Sequence, residues 1–181
     1  MTEELIQDAE HRMHGAVDAL DHDLSAFRTG RASTALLDRL QVEYYGTPTP
    51  LAQMATLAVP EPRLLTIRPW DPGALPKIEK AILSSNLGLT PSNDGQVIRL
   101  TIPPLTQQRR DELIKLAAKR VEEARVAVRN VRRDVLHHLD ALDLPEDEVH
   151  RVKDRIQAMT DKHIKIAEDH GDRKAAEIRE V

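Results

Sequence analysis

The sequence predicts an α+β protein with two domains, a three-helix bundle and a small β/α/β domain inserted into it. Apolar residues recur every three or four positions at both ends of the chain, as in amphipathic helices. Most of the eleven prolines and five of the seven glycines lie between those ends, in residues 30–104. Aromatic residues make up only 2% of the chain, so the core must consist mainly of aliphatic side chains, which suits helix packing.

The first helix is predicted over residues 1–29. One apolar stripe runs along it through Leu5, Ala9, Met13, Ala16, Leu20, Leu24 and Phe27. This spacing of three and four residues places all of them on one face. Gly30 follows at once and is expected to end the helix as a left-handed C-cap.

The middle of the chain, residues 30–105, is predicted to be the inserted domain. Proline breaks helices and glycine supplies turn conformations, so this region must differ from its flanks. Short β-branched or alternating runs bounded by turn residues predict strands at 38–46, 55–59, 64–69 and 96–103. Between the last two strands a helix is expected, with one apolar face formed by Leu75, Ile78, Ile82 and Leu83.

The second long helix is predicted over residues 106–143, which contain neither Gly nor Pro. Thr106 is its expected N-cap. At 1.5 Å per residue the helix would be roughly 55 Å long. Its predicted core stripe comprises Leu113, Leu116 or Ala117, Val121, Ala124, Val128, Val131, Val135, Leu139 and Leu142.

The third helix is predicted to begin near Pro145, a residue favoured in a first helical turn. Three acids, Glu146, Asp147 and Glu148, complement the helix dipole there. Its stripe is expected to include Val149, Val152, Ile156, Met159, His163 and Ile166. Residues 1–29 and 106–181 thus form the predicted bundle domain.

Two chain crossings join the predicted domains, near residues 29–31 and 103–106. Glycine makes the first crossing permissive, and two consecutive prolines make the second extended. Two short connections with few contacts across them can act as a hinge. The predicted hinge residues are Thr29, Gly30, Arg31, Pro103, Pro104 and Leu105.

The charge is unevenly distributed. The formal net charge is −4, yet residues 106–133 hold nine bases and four acids. Four arginines, Arg125, Arg129, Arg132 and Arg133, fall within nine positions and span about 100° of helical arc, beside the core stripe. Either they form a solvated face with acidic partners or they bind a polyanion. Arg129 has an arginine one turn before it and another one turn after it, and like charges at this spacing repel each other. An anionic partner would relieve that repulsion, so the second interpretation is favoured. The planar guanidinium group also matches the geometry of phosphate.

Four further arginines have two interpretations each. Arg28 and Arg31 flank the glycine crossing, where they either contact a polyanion or cap the first helix, and Arg31 is the stronger candidate for the polyanion contact because it lies past the helix. Arg109 and Arg110 open the second helix. Positive charge there opposes the helix dipole, so a polyanion contact is favoured for both.

Six segments resemble the bacterial ribosome recycling factor family in order and spacing. They cover roughly residues 8–136 and read "AEHRM", "FRTGRAS", "VEYYGTPTPL", "EKAILSSNLGL", "IPPLTQQRR" and "ARVAVRNVRRD". The resemblance implies an L-shaped, tRNA-like molecule whose basic bundle face lies on large-subunit ribosomal RNA. It implies that the chain binds the post-termination 70S ribosome and that, with elongation factor G and GTP hydrolysis by that factor, it splits the subunits and releases mRNA and tRNA.

The chain departs from the family pattern near its end. The turn at "LDLPEDE" looks shorter than usual, and Gly171 falls inside the expected third helix. Glycine in a helix costs about 1 kcal/mol relative to alanine.

Several functions are not predicted. The chain has no cysteine, which excludes thiol catalysis and cysteine-ligated metals. Its eight histidines, among them His11, His14, His137, His138 and His163, show no metal-site spacing. Neither a phosphate-binding glycine loop nor a nucleophile elbow is present, so we expect no enzyme activity, no cofactor and no metal. The sequence shows neither a signal peptide nor a membrane span, so a cytoplasmic protein is expected. It is also expected to be a monomer.

Three points stay open from sequence alone. A coiled-coil module that binds an acidic protein through the same arginines is the alternative function, and salt dependence distinguishes it from RNA binding. In a strand Tyr44 and Tyr45 face opposite sides, so one packs inside and the other is either structural or stacks on a base. Trp70 lies at a turn, as a core cap or a surface contact.

Overall fold

The computed structural model describes residues 1–180, which divide into two compact units. Residues 1–27 and 106–180 form a helical unit, and residues 28–105 form an α/β unit. The helices are α1 (Thr2–Ser25), α2 (Leu75–Leu83), α3 (Gln107–Asp140) and α4 (Glu146–Arg179). The strands are β1 (Gln41–Tyr44), β2 (Thr47–Pro50), β3 (Ala55–Glu61), β4 (Leu64–Pro69), β5 (Pro91–Asn93) and β6 (Ile98–Thr101). The predicted α+β class is confirmed.

The helical unit is a bundle in which α1, α3 and α4 all contact one another. The predicted stripe of α3 is confirmed from Leu113 to Leu139, with Ala117 buried and Leu116 exposed where either was expected. Leu142, its last predicted member, lies after the helix end at Asp140 and is half-buried. On α1 the predicted stripe is off by about one residue at two places, since Ile6 and Val17 are buried where Leu5 and Ala16 were expected. Because α1 packs against two helices, its apolar arc is broader than one stripe.

Two helices end before their predicted positions, α1 at Ser25 instead of residue 29 and α3 at Asp140 instead of residue 143. Helix α1 ends at Ser25, and its C-cap is Ala26 in a right-handed conformation. Gly30 does have a positive φ of 79°, but it lies in the connecting segment and does not cap the helix, so that prediction was wrong. The predicted cap of α3 is confirmed, because Thr106 Oγ1 accepts a hydrogen bond of 3.1 Å from the backbone N–H of Arg109. Pro145 is the N-cap of α4.

The α/β unit holds two antiparallel sheets and one helix. Strands β1 and β2 form a hairpin, and the second sheet has the order β3-β4-β6-β5. Strands β2 and β5 were not predicted, and they contain prolines at positions 48, 50 and 91. Each has a single neighbour in its sheet, and such edge strands tolerate proline.

Helix α2 closes the core of the α/β unit. Leu75, Ile78 and Ile82 are buried as predicted, whereas Leu83 is 63% exposed. Leu83 was wrongly assigned, since it lies 100° of rotation from Ile82 and the sheet covers a narrower arc than the pattern suggested. The core contains Leu37, Leu40, Val42, Leu51, Met54, Leu65, Ile67, Ile98 and Leu100.

None of the helices formed by residues 1–180 is long and apolar enough to cross a membrane. Gly171 lies within α4, as the sequence indicated, and is half-buried. A methyl group added to it would lie far inside contact distance of Val121 Cγ2 on α3. The glycine therefore permits a close approach of the two helices.

Candidate nucleic-acid interface

The arginine face, defined as Arg125, Arg129, Arg132 and Arg133, lies on α3 beside its buried stripe. Val128 and Val135 of that stripe are fully buried, and they fix the rotation of the helix. Arg125 and Arg132, which are nearer the stripe, are half-buried, and Arg129 and Arg133 are exposed. The core thus holds the arginine face at the boundary between the bundle interior and solvent.

Arg125 is engaged within the bundle. Its Nη1 lies 2.8 Å from Glu122 Oε2, one turn earlier on α3, and its Nη2 lies 2.8 Å from Glu168 Oε1 on α4. The hydrogen bond that Arg125 donates to Glu122 is the largest of the causes that raise the pKa of Arg125 above its ordinary value. Because both terminal nitrogens have carboxylate partners, Arg125 joins α3 to α4 and is poorly placed to bind a second anion.

Arg129 shares the same carboxylate more loosely. Its Nη1 lies 3.6 Å from Glu122 Oε1, and about half of each side chain is exposed. An exposed pair of this kind contributes between about 0 and 1 kcal/mol. Arg129 can therefore exchange Glu122 for an external anion at little cost.

Arg132 and Arg133 have no carboxylate partner within residues 1–180. The adjacent acid, Asp134, instead accepts a 2.6 Å hydrogen bond from Arg12 Nη1 of α1. That contact is the main cause that lowers the pKa of Asp134. Two neighbouring guanidinium groups thus remain without a counter-ion at the C-terminal end of the arginine face.

The arginines at the start of α3 are not brought together with this face. Arg109 Nη1 pairs with Glu112 Oε2 at 3.1 Å. Arg109 lies about 24 Å along the axis from Arg125 and, by helical rotation, on the opposite side of α3 from the centre of the arginine face. The Nε atom of Arg110 is buried and has no hydrogen-bond partner in the part of the chain that the structure describes.

Arg28 and Arg31 belong to the α/β unit, and both are exposed. Between them, Thr29 and Gly30 are buried. Backbone hydrogen bonds tie each crossing to the β3–β4 turn, from Ala32 N to the carbonyl of Pro62 (2.7 Å) and from Ile102 N to that of Arg63 (2.8 Å).

The remaining predicted hinge residues follow Ile102. Pro103 and Pro104 are exposed and Leu105 is half-buried. The crossings are therefore fixed up to residues 32 and 102, and the hinge stays a prediction for residues 29–31 and 103–105.

The structure also gives the surroundings of the histidine and aromatic residues that the sequence analysis named. No group of three or more metal-ligating side chains occurs within residues 1–180. His163 is buried in the bundle with Nδ1 2.8 Å from the carbonyl of Met159, as expected for a core residue. Tyr44 is the half-buried member of its pair and donates a hydrogen bond to Asp71. Trp70 is exposed and donates to Thr56 Oγ1 at 3.0 Å, so it is a surface residue.

Sequence reasoning missed two features near these candidates. Glu168 was not considered as a partner of Arg125, because nothing in one helix states which residue of another helix faces it. The second feature is the proximity of Lys77 to both tyrosines, at 5.6 and 5.0 Å from their ring centres. No local pattern indicated this contact, because three strands separate the tyrosines from Lys77 in the sequence.

Comparison with known proteins identifies the family. The family model "Ribosome recycling factor" matches residues 20–178. The ribosome-recycling factor of Carboxydothermus hydrogenoformans is 51% identical over 173 residues, covering 93% of this chain and 94% of the relative. That of Halalkalibacterium halodurans is 51% identical over 185 residues, covering both chains completely.

Solved structures agree with that assignment. A solution structure of a ribosome recycling factor is 44% identical, has a TM-score of 0.75 and covers 99% of this chain and 98% of its own. A T. thermophilus ribosome recycling factor, placed with E. coli elongation factor G in models bound to the E. coli post-termination complex, is 44% identical with a TM-score of 0.61 and 98% coverage of both chains. On a match that spans most of its length, the chain belongs to the ribosome recycling factor family.

Proposed function

We propose that this protein recycles ribosomes after termination by anchoring the arginine face of its bundle on large-subunit ribosomal RNA. The observation that carries the proposal is the pair Arg132 and Arg133, two adjacent guanidinium groups without a carboxylate partner among the described residues. Arg133 also lies one turn after Arg129 on α3, and repulsion between like charges at that spacing is relieved when an anion binds. Arginine's planar fork binds phosphate through two parallel hydrogen bonds.

Within the arginine face the contributions differ. Arg132 and Arg133 form the anchor, and Arg129 joins them by releasing Glu122. Arg125 acts mainly by holding α3 against α4 through Glu168. Arg28, Arg31, Arg109 and Arg110 are secondary candidates that would contact RNA elsewhere on the ribosome.

The proposed mechanism is mechanical. The bundle remains on the large subunit while the α/β unit swings about residues 29–31 and 103–105, driven by elongation factor G. GTP hydrolysis belongs to that factor, and the chain itself works as a monomer without catalysis. The models that place a 44% identical relative and elongation factor G on a post-termination complex support this assignment of partners.

The anchor is tested with Arg132→Ala and a matched control. Loss of a hydrogen bond to a charged group costs about 1.5–3 kcal/mol, so affinity for the large subunit should fall roughly 10- to 150-fold. Arg120 also lies on α3 but pairs with Glu123 and points away from the arginine face. Arg120→Ala should therefore leave the affinity unchanged.

Two measurements separate RNA binding from its alternative. Binding to large subunits at increasing salt should give a steep linear fall of log affinity against log salt, with a smaller slope in Arg132→Ala. A shallow dependence would favour an acidic protein partner. Sedimentation of post-termination ribosomes with elongation factor G and GTP then measures splitting, and normal splitting by the Arg132→Ala/Arg133→Ala protein would contradict the proposed anchor.

A further inference from the structure

The turn of the β1–β2 hairpin contains an unfavourable residue. Tyr44 pairs with Thr47, so the turn consists of Tyr45 and Gly46, and their φ angles are 51° and 77°. Two-residue turns with positive φ at both positions favour Asn-Gly or Asp-Gly. A tyrosine in this conformation is strained, and residues strained in this way cluster at functional sites.

The strain is not compensated by burial of the ring. Tyr45 is 78% exposed, the highest exposure among the large apolar side chains of residues 2–180. Its ring meets the edge of the Tyr44 ring, with centres 4.4 Å apart, and Lys77 Nζ lies 5.0 Å from its centre. These contacts orient the ring and leave most of its surface open to solvent.

An open cleft of about 460 Å³ adjoins this ring. Helix α2 lines it with Lys77 and Lys80, the residue directly after that helix, Ser84, also lines it, and β1 lines it with Gln41 and Glu43. Within residues 1–180 neither lysine forms an ion pair. The cleft thus combines an open aromatic surface, two ammonium groups and the amide of Gln41 with a single carboxylate, that of Glu43, in a volume typical of small-ligand sites.

We propose that this cleft binds one unpaired RNA nucleotide, with the base stacked on Tyr45 and the phosphate held by Lys77 and Lys80. Proteins that bind single strands pair a cationic groove with exposed aromatic rings. A protein partner is less suited, because a protein-binding cleft is expected to have a more apolar centre. The inference goes beyond the proposed function, since it gives the α/β unit an RNA contact of its own.

The decisive variant is Tyr45→Asn, because asparagine accepts positive φ and removes only the ring. The assay is fluorescence anisotropy with labelled octauridylate, in full-length protein carrying Arg132→Ala and Arg133→Ala. That background lacks the proposed ribosomal RNA anchor, so failure here is distinguishable from failure of the proposed function. Tyr45→Asn should weaken binding about 5- to 150-fold, the range for one stacked base, and Tyr45→Phe should bind normally.

Stability and salt dependence complete the test. Tyr45→Asn should melt at the same or a higher temperature than its parent, since it relieves the strained turn. Lys80→Met should reduce the slope of log affinity against log salt by about 0.7, the value for one phosphate on a single strand. Photocrosslinking with 4-thiouridine should map to Tyr45.

Three results would overturn the proposal. One is unchanged octauridylate affinity in Tyr45→Asn. Another is a lower melting temperature in that variant together with weaker binding, which would make the ring structural. The third is normal RNA binding with impaired ribosome splitting, which would assign the cleft to a protein partner.

Discussion

Replacing Gly171 with alanine should destabilise the bundle, although the same change stabilises an ordinary helix. Alanine in an open helical position is favoured over glycine by about 1 kcal/mol. Gly15 on α1 is such a position, since an added methyl group would meet no atom within 4 Å. At Gly171 the methyl group would overlap Val121 Cγ2, a buried atom of α3.

The net effect follows from two opposing terms. Inserting a methyl group into a packed contact costs about 1–3 kcal/mol, and the helix propensity offsets about 1 kcal/mol of this. Gly171→Ala should therefore lower the free energy of unfolding by about 0–2 kcal/mol, whereas Gly15→Ala should raise it by about 1 kcal/mol.

Val121→Ala removes the obstructing methyl groups. By itself, Val121→Ala should lower the free energy of unfolding by about 1.5–3 kcal/mol, because less apolar surface is buried. In that background, Gly171→Ala should raise the free energy of unfolding. The two substitutions should then show a coupling of about 0.5–3 kcal/mol, as residues in contact do.

The assay is urea unfolding of the single and double variants, followed by helical circular dichroism. The expected pattern is opposite signs at the two glycines and a rescue of Gly171→Ala by Val121→Ala. Equal stabilisation by Gly15→Ala and Gly171→Ala would refute the close approach of α3 and α4. Strict additivity in the double variant would show that Val121 is not the obstructing residue.

Three further predictions concern the core, acid stability and the hinge. Val128→Asp should unfold the bundle in thermal melts because it buries an unpaired charge, whereas Val126→Asp, at a 45% exposed position of the same helix, should melt within a few degrees of wild type. Hydrogen bonds from the backbone N–H groups of Val97 and Gln96 and from Arg99 lower the pKa of Asp94 from 3.8 to about 2. The contribution of Asp94 to stability should therefore be full above pH 3.8 and lost as the pH falls to about 2. In an acid titration followed by Trp70 fluorescence, Asp94→Asn should lose less stability than wild type over this pH range. The same loss in both proteins would contradict this. Proline at position 30 cannot adopt the observed φ of 79°, so Gly30→Pro should disturb this crossing and abolish splitting with elongation factor G and GTP. The arginine face lies on the bundle, so large-subunit binding should be retained. Full splitting would exclude motion at this crossing, and equal loss of binding and splitting would make Gly30 structural.

The features predicted correctly are those that depend on neighbours within one or two helical turns. Periodicity placed Val128 and Val135 in the core and the arginine face beside them. The Thr106 cap was predictable because an N-cap bonds to a backbone group three residues away. The same short range explains the error at Gly30. A glycine at this position indicated a positive φ, which the structure has, but the local pattern did not indicate that α1 ends five residues earlier.

By itself the sequence determined two kinds of structure in one chain, the three long helices, the α3 core stripe and a concentration of arginine on one helix face. Only the tertiary structure decided which of those arginines already have a carboxylate, because Glu168 reaches Arg125 from α4 and Arg12 removes Asp134 from its arginine neighbours. It also decided that prolines could occupy edge strands β2 and β5 and that Gly171 serves a helix contact. The physical reason is range: periodicity reports which side of a helix is apolar, whereas an ion pair or a packing contact depends on a second element that the local pattern does not specify.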